Sequence, residues 1–215
     1  RILHIFIKIK DIAGYGWIFP KKNYINIGIG EFESAVDKSK PKKNLKEVYS
    51  EYISTLKKNN ILPKDFKSVK TKGATLPIFP LEKTFADRTI LCGDAAGFIN
   101  PITGEGIYYA MTSGEIAANV ISGSLENQHT SEIYLSKYQK LWKKEFGKDL
   151  EIFGRFNKQW GKNSEQFVKL MAKDKKLAKL VIGATGGQIS ISRYKSIIIL
   201  RYIFALIKDR FGREK

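Results

Sequence analysis

Apolar and polar residues alternate along the first 32 positions of the chain, and the apolar positions are rich in Ile, Phe, Tyr and Trp. Because a period of two places successive side chains on opposite faces of a strand, this pattern predicts antiparallel β-strands. Lys21, Lys22 and Asn23 form a predicted polar turn between strands at 15–20 and 24–29. The N-terminal region is therefore predicted to be a small antiparallel sheet.

The pattern changes after this region. A Lys- and Pro-bearing stretch at 37–44 predicts a loop, and apolar residues then recur at helical spacing over 45–59. That spacing predicts an amphipathic helix with one apolar face. The period-two pattern returns over 69–80, which predicts a further strand interrupted by Pro77 and Pro80.

The middle of the chain has a strand–loop–helix pattern. Residues 87–94 predict a short buried strand that ends in Gly-Asp, and a glycine-punctuated loop follows at 95–106. A helix of small residues is predicted at 107–122. From Thr130 onward the spacing of the aromatic residues predicts further helices, with Thr130 as the N-cap.

The charge balance narrows the range of partners. Lys and Arg number 38 against 21 Asp and Glu, a formal net charge of +17. Such a balance favours anionic partners: phosphates, nucleic acid or an acidic membrane surface. A single cysteine, Cys92, rules out an internal disulfide, a four-cysteine zinc site and an iron–sulfur cluster, and two histidines argue against a histidine-rich metal site. We therefore expect no metal site.

Two features concern the cellular location. The chain begins at Arg1 inside an apolar alternation with no signal-peptide pattern, which indicates a fragment of a longer, cytoplasmic polypeptide. Near the other end, 197–207 is an apolar run of 11 residues apart from Arg201, too short for the ~18 residues that a membrane span needs. The run predicts either a buried core helix or an apolar face that dips into a membrane between flanking cations.

The densest chemical signal is the run Gly93-Asp-Ala-Ala-Gly-Phe-Ile-Asn-Pro-Ile-Thr-Gly-Glu-Gly106. A strand would deliver Asp94 at its carboxyl end, where its carboxylate can accept a hydrogen bond from a ribose hydroxyl. Gly93 permits close backbone approach. Gly104 and Gly106 remove side chains from the start of the next helix, whose free N–H groups favour a phosphate or a delocalised anion. The alternative is an ordinary strand–loop–helix turn in which Asp94 is a capping residue.

This run resembles the second FAD motif of the aromatic-hydroxylase-type flavoproteins. Two upstream segments, Gly14-Tyr-Gly-Trp-Ile-Phe-Pro-Lys21 and Asn26-Ile-Gly-Ile-Gly30, are similar to the geranylgeranyl reductase branch of that superfamily. The segment Leu81-Glu-Lys-Thr-Phe-Ala-Asp-Arg88 is similar to the same branch. The resemblance covers residues 1 to about 125 and includes neither the Gly-rich loop nor the ribose-binding acid of the family's N-terminal half.

The resemblance implies an FAD site. Asp94, next to Gly93, would hold the ribityl or ribose hydroxyls of FAD, and Pro101 would line the flavin ring. Backbone N–H groups near the pyrimidine end of the ring would come from Gly104, Glu105, Gly106 and Ile107, where the helix dipole favours an anionic reduced flavin. Catalytic residues are not assigned.

The aromatic segment at 15–20 has its own prediction. Period-two alternation places Tyr15, Trp17 and Phe19 on one face of a strand, while Gly14 and Gly16 leave the opposite face bare. Taken alone, the pattern is typical of a core strand. By the resemblance, these three aromatic residues and Pro20 line an isoprenoid site beside the flavin.

The resemblance also implies a fold and a reaction. The fold would be α/β, an α+β mix, with part of a substrate-binding domain at 1–85, the closing strand, loop and helix of an FAD-binding domain at 86–125, and a helical region at 126–215. The reaction would be hydride transfer from reduced FAD to an isoprenoid double bond. Its substrate would be a lipid or a prenyl diphosphate, and an unidentified electron donor would reduce the flavin.

Two other functions remain open from the sequence. The Gly–Asp loop alone does not distinguish a reductase from a flavin monooxygenase or halogenase on the same scaffold. A non-catalytic basic fragment that binds membrane or nucleic acid is the other alternative. We expect no nucleic acid partner, because no helix-turn-helix, RNA-binding or zinc signature accompanies the charge.

Overall fold

A computed structural model describes residues 3–6, 9, 12–32, 44–68 and 70–211, apart from the side chains of 158–164 and 211. The chain divides into two compact units. The first comprises Arg1–Ala74 and Asn157–Gln166, and the second comprises Thr75–Phe156 and Phe167–Lys215. Small antiparallel sheets combine with a helical C-terminal region, which confirms the predicted mixed α/β fold class.

The first unit contains a three-stranded antiparallel sheet in the order β1-β2-β3. Its strands are β1 (His4–Phe6), β2 (Gly14–Pro20) and β3 (Ile25–Glu31). The N–H of Lys21 donates to the carbonyl of Tyr24 at 2.8 Å, which closes the predicted polar turn. The alternation of apolar and polar residues therefore predicted this sheet correctly.

Helix α1 (Leu45–Lys58) covers one face of the sheet. It begins where the predicted loop at 37–44 ends: Asn44 is its N-cap and accepts from the N–H of Lys46 at 3.0 Å, while 37–43 lie outside the described residues. Side chains from α1, the strands and the following turn build the core of this unit. Its buried members are Ile9, Ile18, Val48, Tyr52, Leu56 and Leu62.

The second unit begins with two short strands and continues as helices. The elements are β4 (Phe85–Ala86), β5 (Thr89–Ile90), a 3₁₀ turn (Gly93–Ala96), α2 (Ile107–Glu126), α3 (Glu132–Trp142), a π-helical turn (Lys143–Gly147), α4 (Lys148–Lys173), α5 (Lys175–Thr185) and α6 (Ile191–Phe211). Helix α2 extends past the predicted end at 122. Within the described part of the chain, no helix is both long and apolar enough to cross a membrane.

The core of the second unit lies between the 3₁₀ turn, α2, α3 and the start of α4. Phe98 is central to it, since its ring centroid lies 4.6 Å from that of Trp142 and 5.1 Å from that of Phe146. The buried members are Ala96, Phe98, Tyr109, Ala117, Val120, Leu135, Tyr138, Trp142, Phe146 and Leu150. The glycine–aspartate loop therefore packs against a buried aromatic cluster.

Two predicted strands are corrected. Residues 70–80 contain no strand, because Pro77 and Pro80 cannot donate to a ladder and the segment is mostly exposed. The predicted buried strand at 87–94 is reduced to β5, which pairs with β4 in an antiparallel hairpin. Asp94 therefore lies in a 3₁₀ turn, two residues beyond the partly buried Cys92, rather than at the end of a parallel strand.

The predicted N-cap of α3 is wrong by one residue. Ser131, not Thr130, occupies the cap position, and its side chain makes no capping hydrogen bond. The carboxylate of Asp87 instead accepts from the N–H of Glu132 at 2.6 Å. This acceptor lies 45 residues away in sequence, so local capping rules could not have found it.

Candidate functional site

The glycine–aspartate loop begins with a tight turn after β5. Gly93 has φ +54°, a left-handed conformation that favours glycine, and its N–H donates to the hydroxyl of Ser113 on α2 at 3.0 Å. A Cβ at Gly93 would lie 3.0 Å from that of Ala110, so the small residues of α2 allow the turn to approach the helix. The turn presents the Asp94 side chain to solvent.

The structure brings Asp94 and Gly106 together. A Cβ at Gly106 would lie 3.1 Å from Oδ1 of Asp94 and 3.3 Å from Cγ1 of Ile99. The carboxylate therefore stands directly beside the start of α2, in a space that any side chain at Gly106 would enter. Two of the residues predicted to bind a cofactor thus share one small surface.

The N–H groups of the loop are divided between internal and free donors. Gly104 donates to the carbonyl of Asn100 at 2.9 Å, and Glu105 donates to the hydroxyl of Thr103 at 3.3 Å. The N–H groups of Gly106 and Ile107 donate no hydrogen bond to any described residue. Of the four predicted backbone donors, Gly106 and Ile107 are therefore the two that a ligand can use.

Glu105 caps the first turn of α2 from outside the helix. Its Oε1 accepts from the N–H of Tyr108 at 3.1 Å, whereas its Oε2 is buried with no partner among the described residues. Burial raises the pKa of the nearby Tyr109 hydroxyl above its ordinary range, and the charges of Asp149 and Glu105 add to this shift. Tyr109 therefore stays neutral at physiological pH.

Asn100 organises the loop, and the sequence analysis did not single it out. Its side chain is fully buried, and its Oδ1 accepts from the N–H groups of Ile102 at 2.9 Å and Thr103 at 3.4 Å. Its own N–H donates to the carbonyl of Glu105 at 2.8 Å, which closes the loop. The Asn-Pro dipeptide, a known turn signal, was the local sign that could have identified it.

Ser113 was also missed. Besides accepting from Gly93, its hydroxyl donates to the carbonyl of Ala110 at 3.1 Å, and its side chain is fully buried. Ser113 is one of several hydroxyl side chains in a helix of small residues, so nothing in a single sequence distinguishes it. Pro101, by contrast, was predicted to line the ring and is buried in the loop itself, so that role stays a prediction.

The aromatic strand forms a second candidate surface, in the first unit. The ring centroids of Tyr15 and Trp17 lie 5.8 Å apart, and those of Trp17 and Phe19 lie 6.1 Å apart. All three side chains are half-buried, as is Pro20. The predicted single aromatic face is therefore present, and burial raises the pKa of the Tyr15 hydroxyl.

Glycines on β3 make room for this face. Trp17 pairs with Gly28 and Tyr15 pairs with Gly30 across the sheet. A Cβ at Gly28 would lie only 2.1 Å from Cζ2 of Trp17, so the indole lies across the neighbouring strand, where its Nε1 donates to Oδ1 of Asn26 at 2.6 Å. Tyr15, Trp17 and Phe19 thus form one row of neighbouring rings, which we call the aromatic platform; the ring planes of Tyr15 and Trp17 are inclined by 50° and those of Trp17 and Phe19 by 27°.

Gly14 and Gly16 predicted a bare face on the opposite side of β2, but in the structure other side chains cover the face at Gly16. A Cβ at Gly16 would lie 2.5 Å from Ile9 and 2.8 Å from the ring of Tyr52. Phe6, which pairs with Gly16, packs edge-on against Tyr52 with ring centroids 5.7 Å apart. The space left by the absent side chain of Gly16 is therefore occupied by core residues that pack under α1.

The two histidines and the single cysteine do not form a further site among the described residues. His4 and His129 are exposed, and the Cys92 thiol is half-buried, with its Sγ 3.5 Å from the hydroxyl oxygen of Tyr138. The described residues contain no group of three or more His, Cys, Asp and Glu side chains placed to hold a metal ion.

Comparison with known proteins identifies the family. Residues 2–69 match the model of the geranylgeranyl reductase catalytic domain. A digeranylgeranylglycerophospholipid reductase of Methanococcus aeolicus is 35% identical over 159 residues, which cover 74% of this chain and 39% of that protein. A reductase of the same name from Methanocaldococcus jannaschii is 38% identical over 133 residues, which cover 61% of this chain and 32% of that one. The chain belongs to the geranylgeranyl reductase family.

A solved structure supports the fold of this geranylgeranyl reductase family member. The geranylgeranyl bacteriochlorophyll reductase-like protein of Thermoplasma acidophilum superposes with a TM-score of 0.58 and is 26% identical. The match covers 70% of this chain and 37% of that structure. The chain thus spans about one third to two fifths of the length of these three proteins.

Proposed function

We propose that this chain is part of an FAD-dependent reductase that saturates double bonds of geranylgeranyl groups on lipids. The observation that carries the proposal is the pairing of the Asp94 carboxylate with the uncovered start of α2 at Gly106. The names of the similar proteins supply the substrate class, a digeranylgeranylglycerophospholipid. The alternative substrate is a prenyl diphosphate that carries the same geranylgeranyl group.

The residues present fit a flavin nucleotide. An exposed carboxylate accepts hydrogen bonds from sugar hydroxyls, and Asp94 is such a group. Next to it, the free N–H groups of Gly106 and Ile107 lie at the positive end of the α2 dipole, which suits an electron-rich ring. The missing Cβ of Gly106 leaves the space for the ring to approach.

Bound FAD, once reduced by an electron donor still to be identified, would supply a hydride to one alkene carbon while the neighbouring carbon takes a proton. The residues of this chain would bind the cofactor and orient it. Asp94 would fix the sugar chain of the cofactor, and the N–H groups of Gly106 and Ile107 would stabilise negative charge on the ring. Gly93, Pro101, Gly104 and Glu105 would shape the loop that holds it.

The aromatic platform would hold the isoprenoid chain. Tyr15, Trp17 and Phe19 offer a continuous half-buried apolar surface, and Ile5, which pairs with Trp17, is 58% exposed beside it. A long unsaturated chain gains free energy by covering such a surface. Pro20 closes the end of the strand.

These two surfaces suggest which part of the chain binds the substrate and which part binds the cofactor. We propose that residues 1–85 belong to the substrate-binding domain, 86–125 to the FAD-binding domain and 126–215 to a helical region. We further propose that the protein works in the cytoplasm and contacts a membrane peripherally, since its substrate would reside there.

The test uses the intact protein. We expect it to be yellow, to show a flavin absorption spectrum, and to convert a digeranylgeranyl lipid to hydrogenated products when its flavin is chemically reduced under anaerobic conditions. Mass spectrometry of the lipid distinguishes hydrogen addition from oxygen insertion. An oxygenated product formed only in air would instead identify a monooxygenase, and a colourless protein would contradict the proposal.

A further inference from the structure

Helix α6 has one packed face. Ile191, Ile198 and Ala205, spaced by seven residues, are each 7% exposed. On the same side Arg201 forms an ion pair with Asp174 at 2.9 Å, and Asp209 pairs with Lys173. Hydrogen bonds from the N–H of Leu177 and from Arg201 hold the pKa of the Asp174 carboxyl below its usual range. The helix is therefore fixed against its own unit.

The opposite face of α6 is apolar and uncovered in the described structure. At about 100° per residue, positions 197, 200, 203, 204 and 207 lie on the side away from Ile198 and Ala205. We call these five residues the α6 apolar face. Their exposed fractions are Ile197 48%, Leu200 66%, Ile203 46%, Phe204 63% and Ile207 51%. Sequence hydropathy gave two alternatives for this helix, and the structure shows that it is packed on one side only.

Cations border this face. Lys208 and Arg210 are exposed and lie on its two edges near the end of the helix, and Arg193 is exposed on the same side near the start. None of these three cations pairs with an acid among the described residues, whereas the acid of α6, Asp209, is already paired on the packed side. A surface that combines apolar side chains with unpaired cations complements an anionic bilayer.

We propose that the α6 apolar face lies in the interfacial layer of an anionic lipid membrane, with Lys208 and Arg210 against the phosphate headgroups. The 21 residues of α6 give a length of about 31 Å, which suits a helix that lies flat in the membrane surface. The inference rests on the proposed function in one respect: a lipid substrate requires the protein to meet a membrane.

The experiment measures binding of the intact protein to phosphatidylglycerol–phosphatidylcholine vesicles by co-sedimentation. We expect the double variant Leu200→Ser/Phe204→Ser to bind at least tenfold more weakly than the wild type. Removal of a cation by Lys208→Gln or Arg210→Gln should weaken binding about fivefold each, which corresponds to ~1 kcal/mol. Binding should fall with salt and should be absent on purely zwitterionic vesicles.

The matched controls lie elsewhere in the same unit. Leu125 is 63% exposed on α2 and Ile133 is 86% exposed on α3, so Leu125→Ser/Ile133→Ser removes similar exposed apolar groups. Lys140→Gln/Lys144→Gln removes two exposed cations. Both control variants should bind the vesicles as the wild type does.

Other outcomes overturn the inference. If Leu200→Ser/Phe204→Ser binds vesicles normally, the face does not meet the membrane. If that variant aggregates or changes its oligomeric state, the face is covered by protein, either another region of the polypeptide or a second copy. Flavin content and reduction of detergent-solubilised lipid, measured on the same samples, test the proposed function separately. A protein that binds vesicles but contains no flavin would contradict the proposed function and still support the membrane-binding face.

Discussion

The aromatic platform of the first unit is formed by backbone geometry, whereas the glycine–aspartate loop of the second unit is held in shape by buried side chains. Strand periodicity alone places Tyr15, Trp17 and Phe19 together, and glycines on β3 give the rings room. In the loop, by contrast, Asn100 makes the hydrogen bonds that position the segment. The platform should therefore tolerate substitutions that the loop does not.

The largest effect is expected at Asn100. The substitution Asn100→Ala leaves the buried N–H of Ile102 and the N–H of Thr103 without their acceptor. Because an unsatisfied buried donor costs about 1–3 kcal/mol, the free energy of unfolding should fall by about 2–4 kcal/mol. Urea denaturation of the intact protein measures it.

The control for this variant is Asn127→Ala. Asn127 also makes a side-chain hydrogen bond, but on the surface, where its side-chain amide donates to the carbonyl of Gly123 at 2.7 Å. Its replacement should change the unfolding free energy by less than about 0.5 kcal/mol. Equal effects at both positions would mean that the Asn100 network does not hold the loop.

The second effect separates ligand binding from folding. Asp94 is exposed, so Asp94→Ala should leave the unfolding free energy of the protein unchanged. A lost charge-assisted hydrogen bond to a sugar hydroxyl is worth about 1.5–3 kcal/mol, roughly 10- to 100-fold in FAD affinity. Titration of the deflavinated protein with FAD measures the loss, with Glu126→Ala on the far end of α2 as the exposed-acid control. Normal FAD affinity in Asp94→Ala would contradict the cofactor assignment.

The same contrast explains what the sequence could predict. The sheet, α1 and the shared face of the aromatic residues follow from local periodicity, and the Gly–Asp run by itself predicts Asp94 and Gly106 as candidate ligand-binding positions. Asp87 at the start of α3 and Ser113 beside Gly93 could not be found, because each acts across 20 or more residues. The strand predicted at 69–80 failed because alternation indicates which side chains share a face but supplies no partner for the backbone.

The third effect tests the platform. We expect Trp17→Ala to lower kcat/KM for long prenyl substrates roughly 5- to 30-fold, about 1–2 kcal/mol, because it removes the central ring of the surface. Flavin content should not change. The control Tyr24→Ala removes an aromatic side chain that is 67% exposed at the adjacent turn, and it should leave turnover unaltered. Loss of flavin together with turnover in Trp17→Ala would instead indicate an ordinary core strand.

The smallest effect compares the same substitution in the two units. Tyr52, under the sheet, is 6% exposed and its hydroxyl has no partner among the described residues, whereas the Tyr138 hydroxyl in the second unit donates to the carbonyl of Leu91 at 2.8 Å. Burial raises the pKa of both hydroxyls, so neither ionises near neutral pH. Removing an unpaired buried hydroxyl relieves a desolvation cost, whereas removing the Tyr138 hydroxyl leaves the partly buried carbonyl of Leu91 without this donor.

We therefore expect opposite signs. Tyr138→Phe should lower the free energy of unfolding by about 1–2 kcal/mol, whereas Tyr52→Phe should leave it unchanged or raise it by up to about 1 kcal/mol. Thermal and urea denaturation of both variants, beside the wild type, measure the difference. A loss of stability in Tyr52→Phe as large as that in Tyr138→Phe would show that the first unit also depends on a buried polar contact. The contrast between a surface formed by backbone geometry and one held by buried side chains would then fail.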